Sequence, residues 1–153
     1  MKTVITYGSF DIFHIGHLLL LERLRSLGDK LIVCVSSDEF NSFKGKRTVV
    51  PYEQRARIIA ALKCVDNVLP EHGWEQKRTD IIREGVDIFG MGSDWAGKFD
   101  YLRDICEVVY LPRTENVSST ELKALVKKEV KDELHGLKHM IDNLHAEIGR
   151  IVR

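Results

Sequence analysis

Residues 3–28 read TVITYGSFDIFHIGHLLLLERLRSLG, and this stretch decides the fold. Thr3–Tyr7 is apolar or β-branched at successive positions, as a strand buried on both faces requires. His17–Leu27 then carries apolar residues at helical spacing and runs up to Gly28, a residue suited to the left-handed position after a helix. Outward from this strand–loop–helix unit the pattern repeats. Lys30–Ser36, Val65–Leu69, Val86–Met91 and Cys106–Leu111 read as further strands. Pro51–Leu62 reads as a helix with Pro51 at its first position, Trp74–Glu84 as one stopped by Gly85, and Asp100–Ile105 as a short one. This alternation predicts an α/β fold: a Rossmann-like parallel sheet of about five strands with helices on both faces.

The chain has 153 residues, 44% hydrophobic and 30% charged, so disordered and collagen-like classes are excluded. A chain of this length buries about 70% of its unfolded surface, enough for one core without disulfides or metal. Lys+Arg and Asp+Glu both number 23. Zero net charge argues against nucleic acid as the main partner but leaves room for a small phosphorylated ligand. There is no apolar run of membrane-spanning length and no signal-peptide pattern at the N-terminus. Cys34, Cys64 and Cys106 are far apart in apolar contexts, which predicts buried thiols and a cytoplasmic protein.

The loop after the first strand holds Ser9, Phe10, Asp11, His14, Gly16 and His17. In open α/β sheets ligands bind outside the carboxyl ends of the strands, and this loop also runs into a helix N-terminus that favours an anion. Two imidazoles three residues apart, with a glycine between them, suit one shared anion. The glycine patterns of a dinucleotide site and of a P-loop are both missing. Zinc ligation by the two histidines, which would need further ligands, and a purely structural role are the competing readings.

The segments YGSFDIFHIGH (7–17), SSDEFN (36–41), YEQR (52–55), WEQK (74–77), GMGSDWAGKFD (90–100) and VVYLPRTENVSST (108–120) together resemble the H-x-G-H nucleotidyltransferase superfamily, and within it the glycerol-3-phosphate cytidylyltransferase group. The resemblance covers roughly residues 2–126. It implies transfer of a cytidylyl group from CTP, accompanied by Mg2+, to a small alcohol phosphate such as glycerol 3-phosphate, for cell-surface polymer synthesis. It also implies roles: His14 and His17 at the triphosphate, with Arg113, Thr114, Ser118 and Ser119 on the same phosphates. Lys44 and Lys46 would be catalytic cations for the acceptor phosphate and the transition state, helped by Arg55, while Trp74 would lie near the acceptor. For Lys44 and Lys46 a solvated basic loop is the alternative, and for Trp74 core packing. Gly92 would let the nucleotide approach and Asp94 would bind a ribose hydroxyl. Asp11 would hold the loop, orient a lysine or face the substrate, with a bound magnesium as a further alternative. Three positions depart from the group's pattern: Ile15 replaces an aromatic residue, Asn116 a glycine and Lys63 an arginine, where the lysine would still serve as a substrate-binding phosphate cation, though not bidentately. They leave the acceptor open, so another polyol phosphate, or adenylyl transfer within the superfamily, stays as an alternative. A nucleotide-sensing scaffold is the alternative outside enzymes.

The tail differs in kind. Ser118 to Glu121 fits a capping box, and a long helix of about thirty residues follows. Val130, Leu134, Leu137, Ile141, Leu144, Ile148 and Ile151 recur at alternating spacings of three and four. Isoleucine at a positions with leucine at d favours a two-stranded coiled coil. Residues 1–126 are therefore expected to form the catalytic domain and 127–153 an oligomerisation element of a homodimer or a dimer of dimers. Folding of the stripe back onto its own domain is the alternative.

Overall fold

A computed structural model describes residues 1–114 and 118–151. Five strands form one sheet in the order β3-β2-β1-β4-β5: β1 Thr3–Gly8, β2 Lys30–Ser36, β3 Asn67–Glu71, β4 Ile88–Gly92 and β5 Glu107–Leu111. Every neighbouring pair is parallel. The helices are α1 Ile15–Arg25, α2 Asp38–Phe43, α3 Tyr52–Ala60, α4 Gln76–Glu84 and α5 Ser119–Ile151, with 3-10 turns at Ser93–Trp95 and Asp100–Leu102. The chain divides into two compact units, Met1–Val117 and Ser118–Arg153.

Successive residues of the central strands point to opposite faces, and both faces are apolar. Val4, Leu31, Val33, Val35 and Ile88 pack with Leu21 and Leu24 of α1 and Ile59 of α3. Ile5, Tyr7, Ile32, Cys34 and Phe89 pack with Ile81 of α4 and with Phe99 and Leu102. The strand order reverses at β1, so the carboxyl ends of β1 and β4 flank the crevice where ligands bind in such sheets.

Several boundaries differ from those read in the sequence. α1 starts two residues before His17, with His14 as its N-cap, and it ends at Arg25, so Gly28 is not its cap residue. Pro51 is the N-cap of α3 rather than its first helical residue. Trp74 lies before α4, whose other end is Gly85 in the left-handed region as expected. β3 is shifted to Asn67–Glu71 because it is a half-exposed edge strand, where the apolar signal is weak and Pro70 is tolerated. The short helix expected at 100–105 is a 3-10 turn. α2 was not foreseen; it has only six residues, although Ser37 caps it and Asp38 and Glu39 fill its first turn. Of the three free cysteines only Cys34 is fully buried, and Cys64 and Cys106 are half-buried.

Candidate active site

The loop from β1 into α1 is held by its own side chains. Phe10 and Ile12 take left-handed backbone at φ 50° and 48°, unusual for residues with a Cβ. The Phe10 ring is buried in the core, so only its main chain is left for a nucleotide. The Asp11 carboxylate accepts the N–H groups of Val49 and Val50 at 2.8 and 2.9 Å. Holding the loop, one of its expected roles, matches this geometry. The Ser9 hydroxyl donates to Asn41 Oδ1 at 2.7 Å.

The two histidines stack with ring centroids 3.9 Å apart. His14 Nδ1 accepts the Gly16 N–H at 3.0 Å, and His17 Nδ1 accepts the His14 N–H at 3.4 Å. An accepting Nδ1 carries no proton, so each neutral ring bears its hydrogen on Nε2. Burial, then the neighbouring Arg113 charge, lowers the His14 pKa. Burial, then His14, lowers that of His17 to about 4, against a smaller opposing pull from Asp11. His14 Nε2 is buried and has no hydrogen-bond partner among the described residues. The helix terminus differs from expectation in one respect. The N–H of Gly16 goes to His14 Nδ1, and those of His17 and Leu18 go to the His14 carbonyl. The imidazole Nε2 is thus a further donor at this corner.

On the β2–β3 side the cations lie among aromatic rings. Lys44, the C-cap of α2, donates to Ser36 Oγ at 3.0 Å. Its Nζ stands 4.3 Å from the Phe40 ring centroid and 5.5 Å from that of Trp74. Lys44 is thus no solvated loop residue, whereas Lys46 is exposed, with Nζ 5.8 Å from the Trp95 ring. Burial lowers the Lys44 pKa to about 8; Glu71 opposes the shift, and Lys46, Lys77 and Arg55 add to it. Trp74 is 39% exposed, with its ring against Phe40 and Trp95, so it is a wall rather than core.

Behind this wall is a buried polar cluster that sequence reasoning missed. Ser36 Oγ donates to Glu71 Oε2 at 2.5 Å, and Lys77 Nζ donates to Glu71 Oε1 at 2.5 Å. The Tyr7 hydroxyl donates to Asp80 at 3.0 Å. A signal was available: Lys77, Asp80 and Ile81 share the inward face of α4, where two charged residues on an apolar stripe call for partners.

Arg55 does not have the role expected of it. Its side chain is 1% exposed and every guanidinium nitrogen is engaged. It donates to the carbonyls of Val50, Ser9 and Ser36 and to Asp38 Oδ1, at 2.8, 2.6, 2.9 and 2.7 Å. It ties the histidine loop to the end of β2 and is not free to bind phosphate. Lys63 is exposed in the turn that enters the amino end of β3, at the opposite edge of the sheet from the strand carboxyl ends. The structure thus does not bring it together with Lys44 or the histidines.

Gly92 ends β4, and a Cβ added there would meet nothing within 4 Å, so its backbone is open to a ligand. Asp94 and Arg113 are exposed and form a loose ion pair at 3.8 Å. Thr114 follows, half-buried. Ser118 accepts the Glu121 N–H at 3.0 Å, one half of the expected capping box, and Ser119 is the first residue of α5. Asn116, one of the departures from the family pattern, lies outside the described residues. Among the described residues no three His, Cys, Asp or Glu side chains are grouped to hold a metal ion.

The Cytidylyltransferase-like family profile matches residues 5–125. The glycerol-3-phosphate cytidylyltransferase of Bacillus subtilis is 56% identical over 123 residues, which are 80% of this chain and 95% of the relative. That of Staphylococcus aureus is 52% identical over 123 residues, 80% of this chain and 93% of the relative. Among solved structures, the lipopolysaccharide core biosynthesis protein of Thermoplasma volcanium superposes with a TM-score of 0.64 at 28% identity, over 75% of this chain and 99% of that one.

Proposed function

The chain belongs to the cytidylyltransferase-like family, and from that premise we propose that it joins CTP to glycerol 3-phosphate, giving CDP-glycerol and pyrophosphate. The observation that carries this reading is the pairing of two kinds of group at the strand carboxyl ends. Neutral imidazoles with Nε2–H donors stand on one side, and cations framed by aromatic rings on the other. A phosphate oxygen of the acceptor attacks the α-phosphorus of CTP in line. One P–O bond forms, the bond from the α-phosphorus to the bridging oxygen breaks, and pyrophosphate leaves with its electron pair. No protein nucleophile is required, so the side chains position the reactants and stabilise charge.

His14 and His17 donate from Nε2 to the oxygens that gain charge in the transition state. As neutral donors they strengthen with that charge and do not hold pyrophosphate tightly afterwards. Lys44 and Lys46 bind the acceptor phosphate, with Trp74 as one wall of its pocket. Arg113 binds the β- and γ-phosphates, Asp94 the ribose, and Gly92 gives the nucleotide room. Magnesium enters as part of the Mg–CTP substrate, with the triphosphate as its main ligand. The reaction fits the cytoplasm, where CTP is found, and the three free thiols agree with a reducing compartment. No described helix is long and apolar enough to cross a membrane. The test is pyrophosphate release with each of the four nucleoside triphosphates against a panel of alcohol phosphates. Turnover with CTP and glycerol 3-phosphate is expected, and a strict preference for ATP overturns the reading.

The finer part of the proposal is a homodimer or dimer of dimers joined through α5. This helix spans 33 residues and has no buried residue. Its stripe from Val130 to Ile151 is 50% to 82% exposed at each of the seven positions. A soluble helix that exposes such a stripe calls for a partner, and the a/d pattern fits a second copy. Burying these side chains is worth at most about 10–20 kcal/mol, against an association cost of about 4–15 kcal/mol. Sedimentation should show the full chain as an oligomer of lower order after truncation at Lys127 and after Leu137→Lys. Identical masses for all three overturn this part alone.

A further inference from the structure

We propose that Glu71, acting through the Ser36 hydroxyl, is a positioning residue that fixes the Lys44 ammonium for the acceptor phosphate; this rests on the reading of Lys44 given above. Ser36 and Glu71 are the last residues of β2 and β3 and are registered partners, so their side chains leave the sheet side by side. Both are buried, at 0% and 1% exposure. The polarity of the chain between them is fixed by chemistry. Lysine only donates and an ionised carboxylate only accepts, so the serine hydroxyl receives from Lys44 and gives to Glu71. The path runs 3.0 Å from Lys44 Nζ to Ser36 Oγ and 2.5 Å from Ser36 Oγ to Glu71 Oε2.

The two carboxylate oxygens have different tasks. Oε1 takes Lys77 directly, at 2.5 Å, and balances a charge that is 1% exposed. Oε2 reaches Lys44 only through a hydroxyl. A carboxylate in direct contact with Lys44 would compete with the substrate phosphate for it. The intervening serine orients the ammonium, occupies one of its three donors and leaves the other two for the ligand. The Glu71 charge also opposes the loss of the Lys44 proton. Desolvation between the Phe40 and Trp74 rings disfavours the ammonium, as do the charges of Lys46 from the following loop, Lys77 from α4 and Arg55 from α3; the Glu71 charge from β3 opposes them. Removing the link should therefore loosen Lys44 and let it lose its proton at lower pH.

The test is steady-state kinetics of the full chain with CTP and glycerol 3-phosphate from about pH 6 to pH 9. Ser36→Ala should raise the acceptor KM about tenfold, leave the KM for CTP within about twofold, and move the alkaline limb of kcat/KM for the acceptor to lower pH. Lowering the pH should restore part of the loss. Glu71→Gln should raise the acceptor KM and move the limb at least as far, because it also removes the charge that opposes Lys44 deprotonation, and the double variant should be no worse than Glu71→Gln alone. Should Glu71→Gln fail to fold, Ser36→Ala still decides, since it keeps the Glu71–Lys77 pair. An unmoved limb, equal loss for both substrates, or additive effects overturn the relay. Lys44→Ala is the control. If it spares the acceptor KM, the assignment of Lys44 falls and the relay with it. If it raises the acceptor KM while Ser36→Ala does not, the relay alone is wrong.

Discussion

The histidine corner and the lysine basin are both half-buried, yet burial acts on them in opposite ways. At the corner it lowers the pKa of both imidazoles, and that suits them, because a neutral ring with Nδ1 tied to the backbone is a fixed Nε2–H donor. In the basin it works against the ammonium of Lys44, and carboxylate charge behind the wall is needed to oppose it. The same desolvation thus gives a neutral donor in one place and an anchored cation in the other. On the proposed reading, groups that face the leaving pyrophosphate gain from neutrality, whereas groups that capture a dianionic acceptor need full charge.

The contrast breaks most completely at Arg55, which joins the two regions. Arg55→Ala strands the carbonyls of Ser9, Ser36 and Val50, and should cost about 3 kcal/mol or more of unfolding free energy in urea titration. Arg55→Lys should recover little, because an ammonium cannot reproduce the planar fork. A stable Arg55→Ala protein with only a raised acceptor KM would instead return Arg55 to the substrate.

Next come the histidines. His14→Ala and His17→Ala should each lower kcat by roughly 10²-fold or more in pyrophosphate release, with the fold retained. A variant that keeps its kcat but melts more easily would make that ring structural. Lys44→Ala should follow, with about a tenfold rise in acceptor KM and unchanged CTP binding by calorimetry. Equal losses would place Lys44 on the nucleotide.

The smallest effect is the pH dependence, which sharpens the contrast. Lys44 acts when protonated, so kcat/KM for the acceptor should fall as pH rises through about 8. His17 acts when neutral, with a folded-state pKa near 4. Below its ordinary value of about 6.5 the unfolded chain binds a proton that the folded chain refuses, so stability should decline as pH falls from there toward 4. Thermal melts across that range check it, and His17→Ala should flatten the decline.

Much of this was legible in the sequence because it depends on local order. Runs such as KLIVCVS announce a strand apolar on both faces, and H-x-G-H places two rings at the start of one helix. What was misread depends on partners that only folding supplies. Arg55 looks like a ligand in a phosphate-binding context, but it is spent on main-chain carbonyls of other loops and on Asp38. Glu71 was passed over because it ends a weak edge strand and meets Ser36, 35 positions away, only across the sheet.

That meeting has a consequence for how the chain chooses its pairing. Strands that are apolar on both sides can slide past one another with little penalty, since either face suits the interior. A slip of one residue between β2 and β3 would turn Glu71 to the other side of the sheet, leaving its charge without Ser36 or Lys77. The acidic residue at the strand end therefore acts as a proofreading mark. A wrong alignment of these strands buries a lone carboxylate, a cost the correct register avoids, and the correct register is also the one that sets Ser36 between Glu71 and Lys44.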